Sequence, residues 1–249
     1  MRIVMGLSLI VSLFQLNMCA SSSSNTGIKK AGSASSAQHN STSKKVGKAP
    51  KKQLAKTPSS IPDDATLKAK GLKRATFAAG CFWCIQPPFD KLPGVVYTFV
   101  GYAGGKKKNP TYREVAYGKT THLESIHVIY DPKKVSYKRI LEVFWTNIDP
   151  TDPKGQFVDK GPHYRSAIFY YGQQQRQLAE ASKKQIASSK RFSRPIVTMI
   201  RKAGPFYMDK TYHQKYYISH PYRYKRYRRG SGRDAFIQRH WVSPVFRIK

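Results

Sequence analysis

The sequence predicts an α+β fold, a two-layer α/β sandwich in a single catalytic domain, and three observations lead there. Short apolar runs of strand length recur between residues 74 and 201. Between them lie segments whose apolar residues follow helical spacing. Hydrophobic residues make up 40% and aromatics 12% of the 249 residues, which is enough to build a core and too much for a chain disordered throughout. Three cysteines are too few for the disulfide framework of a small secreted domain, so stability rests on that core.

The chain opens with Met1 and Arg2, a mostly apolar stretch from Ile3 to Leu16, then Asn17, Met18, Cys19, Ala20 and four serines. A short positive start, an apolar centre and small polar residues read as an export signal over residues 1–20. The apolar stretch is shorter than the roughly 18 to 20 residues that span a bilayer. Cys19 is a candidate lipid acceptor, although Met18 stands where a small residue normally precedes such a cysteine. The expected location is the bacterial periplasm or cell envelope, with the product soluble or anchored through Cys19.

Residues 21–70 are rich in Ser, Ala, Lys, Gly and Pro and read as a disordered basic tether, because they bury too little apolar surface to offset ordering. The domain follows over residues 71–217. Arg74 to Ala79, Val95 to Tyr102 and the alternating Glu124 to Tyr130 read as strands. Ser136 to Thr146 reads as a helix through Tyr137, Ile140, Leu141, Phe144 and Trp145. Ser166 to Tyr171 is then a strand, Gln173 to Ser189 a polar exposed helix, and Ile196 to Arg201 a strand. Three to five strands among two or three helices make one sandwich, and residues 218–249 form a basic C-terminal extension packed on it.

The 45 Lys plus Arg against 13 Asp plus Glu give a net charge of +32. Residues 1–70 hold 11 of the bases with 2 acids, and residues 215–249 hold 10 with 1 acid. More than half of the excess therefore lies outside the central region. That distribution fits adhesion to an anionic membrane or cell wall better than specific nucleic-acid binding.

The chemistry concentrates in FAAGCFWCIQPPFDKLPG. A strand-like run ends at Gly80, Cys81 follows, and a helix could start there; a thiol at a helix N-terminus meets free N–H groups that favour thiolate. Pro87 and Pro88 are expected to limit that helix to an irregular first turn. Cys84, three residues on, could form an exchangeable disulfide with Cys81. On these residues alone the pair could also be structural, a thioredoxin-like redox couple, or half of a zinc site, for which the sequence offers only Cys19 in the export segment and no paired His motif. Glu124 shares its strand face with Ile126, Val128 and Tyr130, and a carboxyl in an apolar row favours its neutral form. A solvated strand-end residue is the plainer reading of an isolated Glu.

Taken in order, the GCFWC block, GYAGG at 101–105, NPTYREV at 109–115, HLESIHVIYDP at 122–132, VFWTNIDPTD at 143–152, HYRSAIF at 163–169 and PFYMDKTYHQKYY at 205–217 resemble the A class of peptide methionine sulfoxide reductases. GSGRDAFIQRHW at 230–241 resembles the C-terminal extension of one subgroup. The resemblance implies the ferredoxin-like fold of that family and reduction of methionine S-sulfoxide without metal or flavin. It implies that Cys81 attacks the sulfoxide sulfur, that Glu124, Tyr112 and Tyr164 serve the oxygen, that Phe82 and Trp83 hold the methyl group, and that Asp159 orients the sulfoxide. Many members carry Gly where this chain has Cys84 and resolve the sulfenic acid with later cysteines, which are absent here. Cys84 is thus the expected resolving thiol, with thioredoxin or a thioredoxin-like protein as reductant. His213 and Tyr212 lie in a matching block and receive no catalytic step. Two other classes remain open beside this one: a thiol-disulfide oxidoreductase using the cysteine pair, and a basic module binding anionic surfaces.

Overall fold

The computed structural model describes residues 58–242 and 246–248, so the expectations for the export segment, Cys19 and most of the tether lie outside the described residues. In chain order the elements are α1 (Asp64–Ala69), β1 (Lys73–Ala78), α2 (Phe82–Asp90), β2 (Val95–Ala103), α3 (Tyr112–Ala116), β3 (Leu123–Tyr130) and α4 (Tyr137–Trp145). They continue with β4 (Gly155–Gln156), β5 (Asp159–Lys160), β6 (Ala167–Tyr170), α5 (Gln173–Ser188), β7 (Met199–Lys202) and β8 (Phe206–Met208). Three helices close the chain, α6 (Tyr216–Ser219), α7 (Pro221–Gly230) and α8 (Arg233–Trp241), and 3₁₀ turns lie at Pro162–Tyr164 and Thr211–His213.

Six strands form one sheet in the order β7-β6-β1-β3-β2-β8, and β4 with β5 makes a separate hairpin. The sequence predicts three to five strands; the additional ones are short, and two residues carry too little periodicity to read. β1 and β2 both pair antiparallel with β3, which lies between them, and α2 connects them. In the same way β1 lies between β3 and β6, joined through α4. These two interlocked split β-α-β units give the ferredoxin-like core. α5 carries the chain from β6 to the parallel edge strand β7, and β8 returns beside β2.

All eight residues of β3 are buried. Ile126, Val128 and Tyr130 join Phe77, Phe82, Ile85, Phe89, Ile140 and Phe144 in the main core, while Leu123 and Ile129 pack into smaller clusters on the other face. The alternation read in the sequence therefore separates two covered faces. Ser136 caps α4 by accepting the Arg139 N–H, and Trp145 Nε1 donates to Ser182 Oγ at 2.9 Å, which ties α4 to the one buried stripe of α5.

Two expectations need correction. The folded part starts before residue 71: Asp63 caps α1 by accepting the Thr66 N–H at 2.7 Å, and Leu67 packs on Phe99 and Ile129. The second concerns α2, which runs nine residues through Pro87 and Pro88 rather than stopping after one turn. A helical proline lacks the N–H that would reach the carbonyl four residues back. For Pro88 that carbonyl belongs to Cys84, and Arg228 Nη1, reaching over from α7, donates to it at 2.7 Å instead. The C-terminal helix supplies the bond that the proline omits.

Candidate active site

Between β1 and α2 the chain turns sharply at Gly80, whose φ is +74°. A Cβ on Gly80 would lie 2.5 Å from the Gln156 Cβ, so only glycine fits. Gln156 cannot yield, because its amide brackets Asp149, accepting from the N–H and donating to the C=O at 2.8 Å each. Behind the turn, the fully buried Arg233 donates to the Ala79 carbonyl at 3.2 and 3.3 Å and to Asn147 O at 2.5 Å. The Arg233 guanidinium also lies 4.5 Å over the Phe157 ring.

This turn sets Cys81 at the N-cap of α2, buried at 6% exposure. Helix-end position alone favours its thiolate, as the sequence leads one to expect, yet the balance goes the other way. Burial, reinforced by the adjacent Cys84 and by Glu124, holds the Cys81 thiol well above the ordinary range. Cys84 lies one turn along and its N–H donates to Cys81 O at 3.0 Å. Its thiol is drawn down to about 7 by the hydrogen bond from Cys81, and the positive charges of Arg233 and Arg228 act in the same direction. Both thiols are free.

Glu124 reaches the same spot from β3. Its Oε2 accepts the Phe82 N–H at 3.1 Å, one of the first amides of α2. That bond favours the carboxylate, but burial at 2% exposure outweighs it and pushes the group up to about 8. Glu124 is consequently a neutral acid at pH 7, and with Oε2 occupied as an acceptor the proton belongs on Oε1. Tyr112 begins α3, behind a capping box in which Thr111 Oγ1 accepts the Glu114 N–H and Glu114 accepts the Thr111 N–H. Tyr164 ends the 3₁₀ turn after β5. Burial, then the negative charge that Glu124 and Cys81 would carry if ionised, pushes both phenols up, so both are protonated donors beside the acid and the thiol.

Aromatic rings enclose this polar centre. The Trp83 ring stacks on Tyr216 at 3.9 Å, and Phe82 faces Tyr102 at 6.2 Å and His213 at 5.3 Å. Trp83 Nε1 donates to His213 Nδ1 at 3.0 Å, which places the imidazole proton on Nε2, 3.6 Å from Asp209 Oδ2. The same His213 ring stacks on Tyr112 at 4.8 Å, so it ties Trp83 to one of the phenols. Asp159, on β5, accepts the Tyr227 hydroxyl at 2.6 Å on both oxygens, and burial raises its pKa.

Every residue expected from the sequence thus converges: Cys81, Cys84, Glu124, Tyr112, Tyr164, Phe82, Trp83 and Asp159. What residue-by-residue reading misses is the bracing by His213, Tyr216, Tyr227, Arg228 and Arg233. The signals for these are the family-like blocks at 205–217 and 230–241, which hold His213, Tyr216 and Arg233, and a density of tyrosine and arginine after residue 211. No cluster able to hold a metal ion occurs among the described residues.

A buried thiol pair facing a neutral carboxylic acid and two phenols defines a thiol-based oxidoreductase, built to attack an electrophile whose oxygen must gain protons. The match to known proteins narrows that class. Residues 73–245 fit the family model for peptide methionine sulfoxide reductase. Relatives with that name from Bacillus licheniformis and Bacillus subtilis are each 52% identical over 167 residues, covering 67% of this chain and 92% and 94% of theirs. The fold is similar to methionine sulfoxide reductase A of Corynebacterium diphtheriae, with a TM-score of 0.55 and 36% identity over 61% of this chain and 76% of that one. The chain belongs to the peptide methionine sulfoxide reductase family, and it is an oxidoreductase acting on methionine sulfoxide.

Proposed function

We propose that the chain reduces the S epimer of methionine sulfoxide, free or within proteins, through a sulfenic acid on Cys81. The substrate methyl group packs against Phe82 and Trp83, and its oxygen meets Glu124, Tyr112 and Tyr164. Cys81 sulfur attacks the sulfoxide sulfur while Glu124 gives its proton to the oxygen, and the proton leaving the Cys81 thiol passes to the Glu124 carboxylate and restores the acid. Methionine leaves, and the oxygen ends on Cys81 as sulfenic acid. Cys84 then attacks the Cys81 sulfur, a water departs, and a Cys81–Cys84 disulfide forms. A dithiol protein of the thioredoxin type returns two electrons and two protons.

The observation that carries this reading is that one helix turn holds both partners of the first step: Cys81 caps α2, and the Phe82 N–H pins the neutral Glu124. Burial of the acid answers the chemical need, since a carboxylate at its ordinary pKa would be ionised at neutral pH and unable to donate. The proximity of Cys84 and its lowered pKa support its role as resolving thiol. The export-like pattern of residues 1–20 supports repair of oxidised proteins in the cell envelope, and the basic residues 1–70 support attachment to an anionic surface that salt would release.

The test uses purified chain, dithiothreitol and the two epimers of methionine sulfoxide. Consumption of the S epimer alone, abolished in Cys81→Ser, is expected. Full activity in Cys81→Ser, or no consumption by the parent chain, would reject the proposal.

A further inference from the structure

We propose that the exposed basic face of α7 selects peptide substrates carrying acidic residues beside the oxidised methionine. This rests on the reading of the active site above and names the substrate class that the site would favour.

α7 reads PYRYKRYRRG and contains no acid. Its residues divide by exposure. Tyr227 and Arg228 are half-buried and turned to the site, while Arg223, Lys225, Arg226 and Arg229 are exposed. Arg228 is paired with Asp234 at 2.7 Å and bonded to the Cys84 carbonyl, so its charge serves the interior. The exposed bases carry theirs to solvent.

Tyr227 connects the two sides. Its hydroxyl lies on Asp159 at 2.6 Å, and its ring stands edge-on to Trp83 at 6.0 Å, both inside the substrate site. The same residue lines a cavity of about 250 Å³ together with Tyr222, Arg223 and Arg226. The methyl pocket and this basic cavity therefore share a wall. A peptide whose sulfoxide sits at Cys81 passes Tyr227 on its way out, and an extended chain advances about 3.4 Å per residue. Carboxylates a few positions from the sulfoxide then fall over Arg223 and Arg226, which lie one helical turn apart and offer planar bidentate donors. Tyr222, 78% exposed, adds a ring on which the peptide backbone or an apolar neighbour can rest.

Two exposed ion pairs amount to about a five- to thirty-fold preference at low salt, shrinking as salt screens them. The test compares kcat/KM for pentapeptides with a central methionine S-sulfoxide flanked by Glu, Gln or Lys, with free methionine S-sulfoxide alongside and dithiothreitol as reductant. The parent chain is expected to rank Glu above Gln above Lys, with the spread collapsing at high salt. In Arg223→Glu with Arg226→Glu the order reverses while the free amino acid is turned over as before. Equal kcat/KM for the Glu and Lys peptides in the parent chain, or an unchanged order in the double variant, overturns the inference. Failure of the parent chain on free methionine S-sulfoxide as well would reject the reading of the site itself, and this inference with it.

Discussion

Replacing Glu124 by Gln removes an ionisable group that the fold holds neutral, and two measurements follow from one cause. The carboxyl is raised from an ordinary 4.5 to about 8 chiefly by burial. At pH 7 roughly nine in ten molecules carry the proton, against roughly one in 300 for a solvated glutamate. The sign for stability follows from the same shift. Between pH 4.5 and 8 the folded state binds this proton and the unfolded state does not, so stability is fully present below pH 4.5 and declines as pH rises to about 8. From pH 6 to pH 9 the decline amounts to about 3 kcal/mol at about 1.36 kcal/mol per pKa unit. Glu124→Gln lacks this contribution, and subtracting its urea-unfolding free energies from those of the parent chain cancels the other groups titrating there. Activity depends on the same proton: the variant keeps an amide near the oxygen and loses the transferable proton, so kcat/KM for methionine S-sulfoxide should drop about 100- to 10,000-fold. The parent profile should fall as pH rises through about 8, the Glu124 value. Parallel stability profiles for the two proteins, or a variant retaining more than about a tenth of parental activity, would refute the assignment of Glu124 as the neutral acid.

Three further outcomes follow from the same geometry. Cys84→Ser should still convert one equivalent of sulfoxide per chain and then stall when a thioredoxin-type donor is the only reductant, as product quantitation would show. Arg228→Met leaves the Cys84 carbonyl without the donor that Pro88 cannot supply; a loss of about 1 to 3 kcal/mol in urea unfolding is expected, with the Cys84 thiolate, followed by its ultraviolet absorbance, titrating above its parental value of about 7. Gly80→Ala forces a Cβ to within 2.5 Å of the Gln156 Cβ at a φ of +74°; thermal unfolding should show a marked loss, whereas Gly118→Ala, where a Cβ meets nothing within 4 Å, should lose only what its φ of +67° costs.

Much of this architecture is legible locally, and the rest depends on partners distant in sequence. The period-two pattern of β3 by itself places Glu124 on the core face with Ile126 and Val128. The helical spacing of α4 is equally plain. α2 defeats local reasoning because its prolines are read correctly as breakers; their tolerance depends on Arg228, 144 residues beyond Cys84, and no pattern near residue 88 announces it. Burial of Cys81 likewise reverses the helix-end argument, since exposure is a tertiary property. α1 carries a faint signal of its own: Asp63 and Asp64 precede Leu67 at cap spacing, but a long Ser, Lys and Ala tract hides so short a pattern. The site residues Tyr112, Tyr164 and Asp159 stand out through family resemblance and not through their own surroundings in the sequence. His213 shows the converse case. Its bond to Trp83 and its stacking on Tyr112 give it a structural duty at the site, which a lone histidine in a loop does not reveal.

The central claim is that Cys81 takes the oxygen and Cys84 resolves it. Mass spectrometry of the reduced chain after one equivalent of methionine S-sulfoxide, with no reductant present, tests it most directly. The expected result is one methionine per chain and a loss of two hydrogens located by peptide mapping to a Cys81–Cys84 crosslink, with Cys84→Ser holding one added oxygen on Cys81 instead. Methionine formed while both thiols remain reduced, or oxygen captured on any other residue, would contradict it.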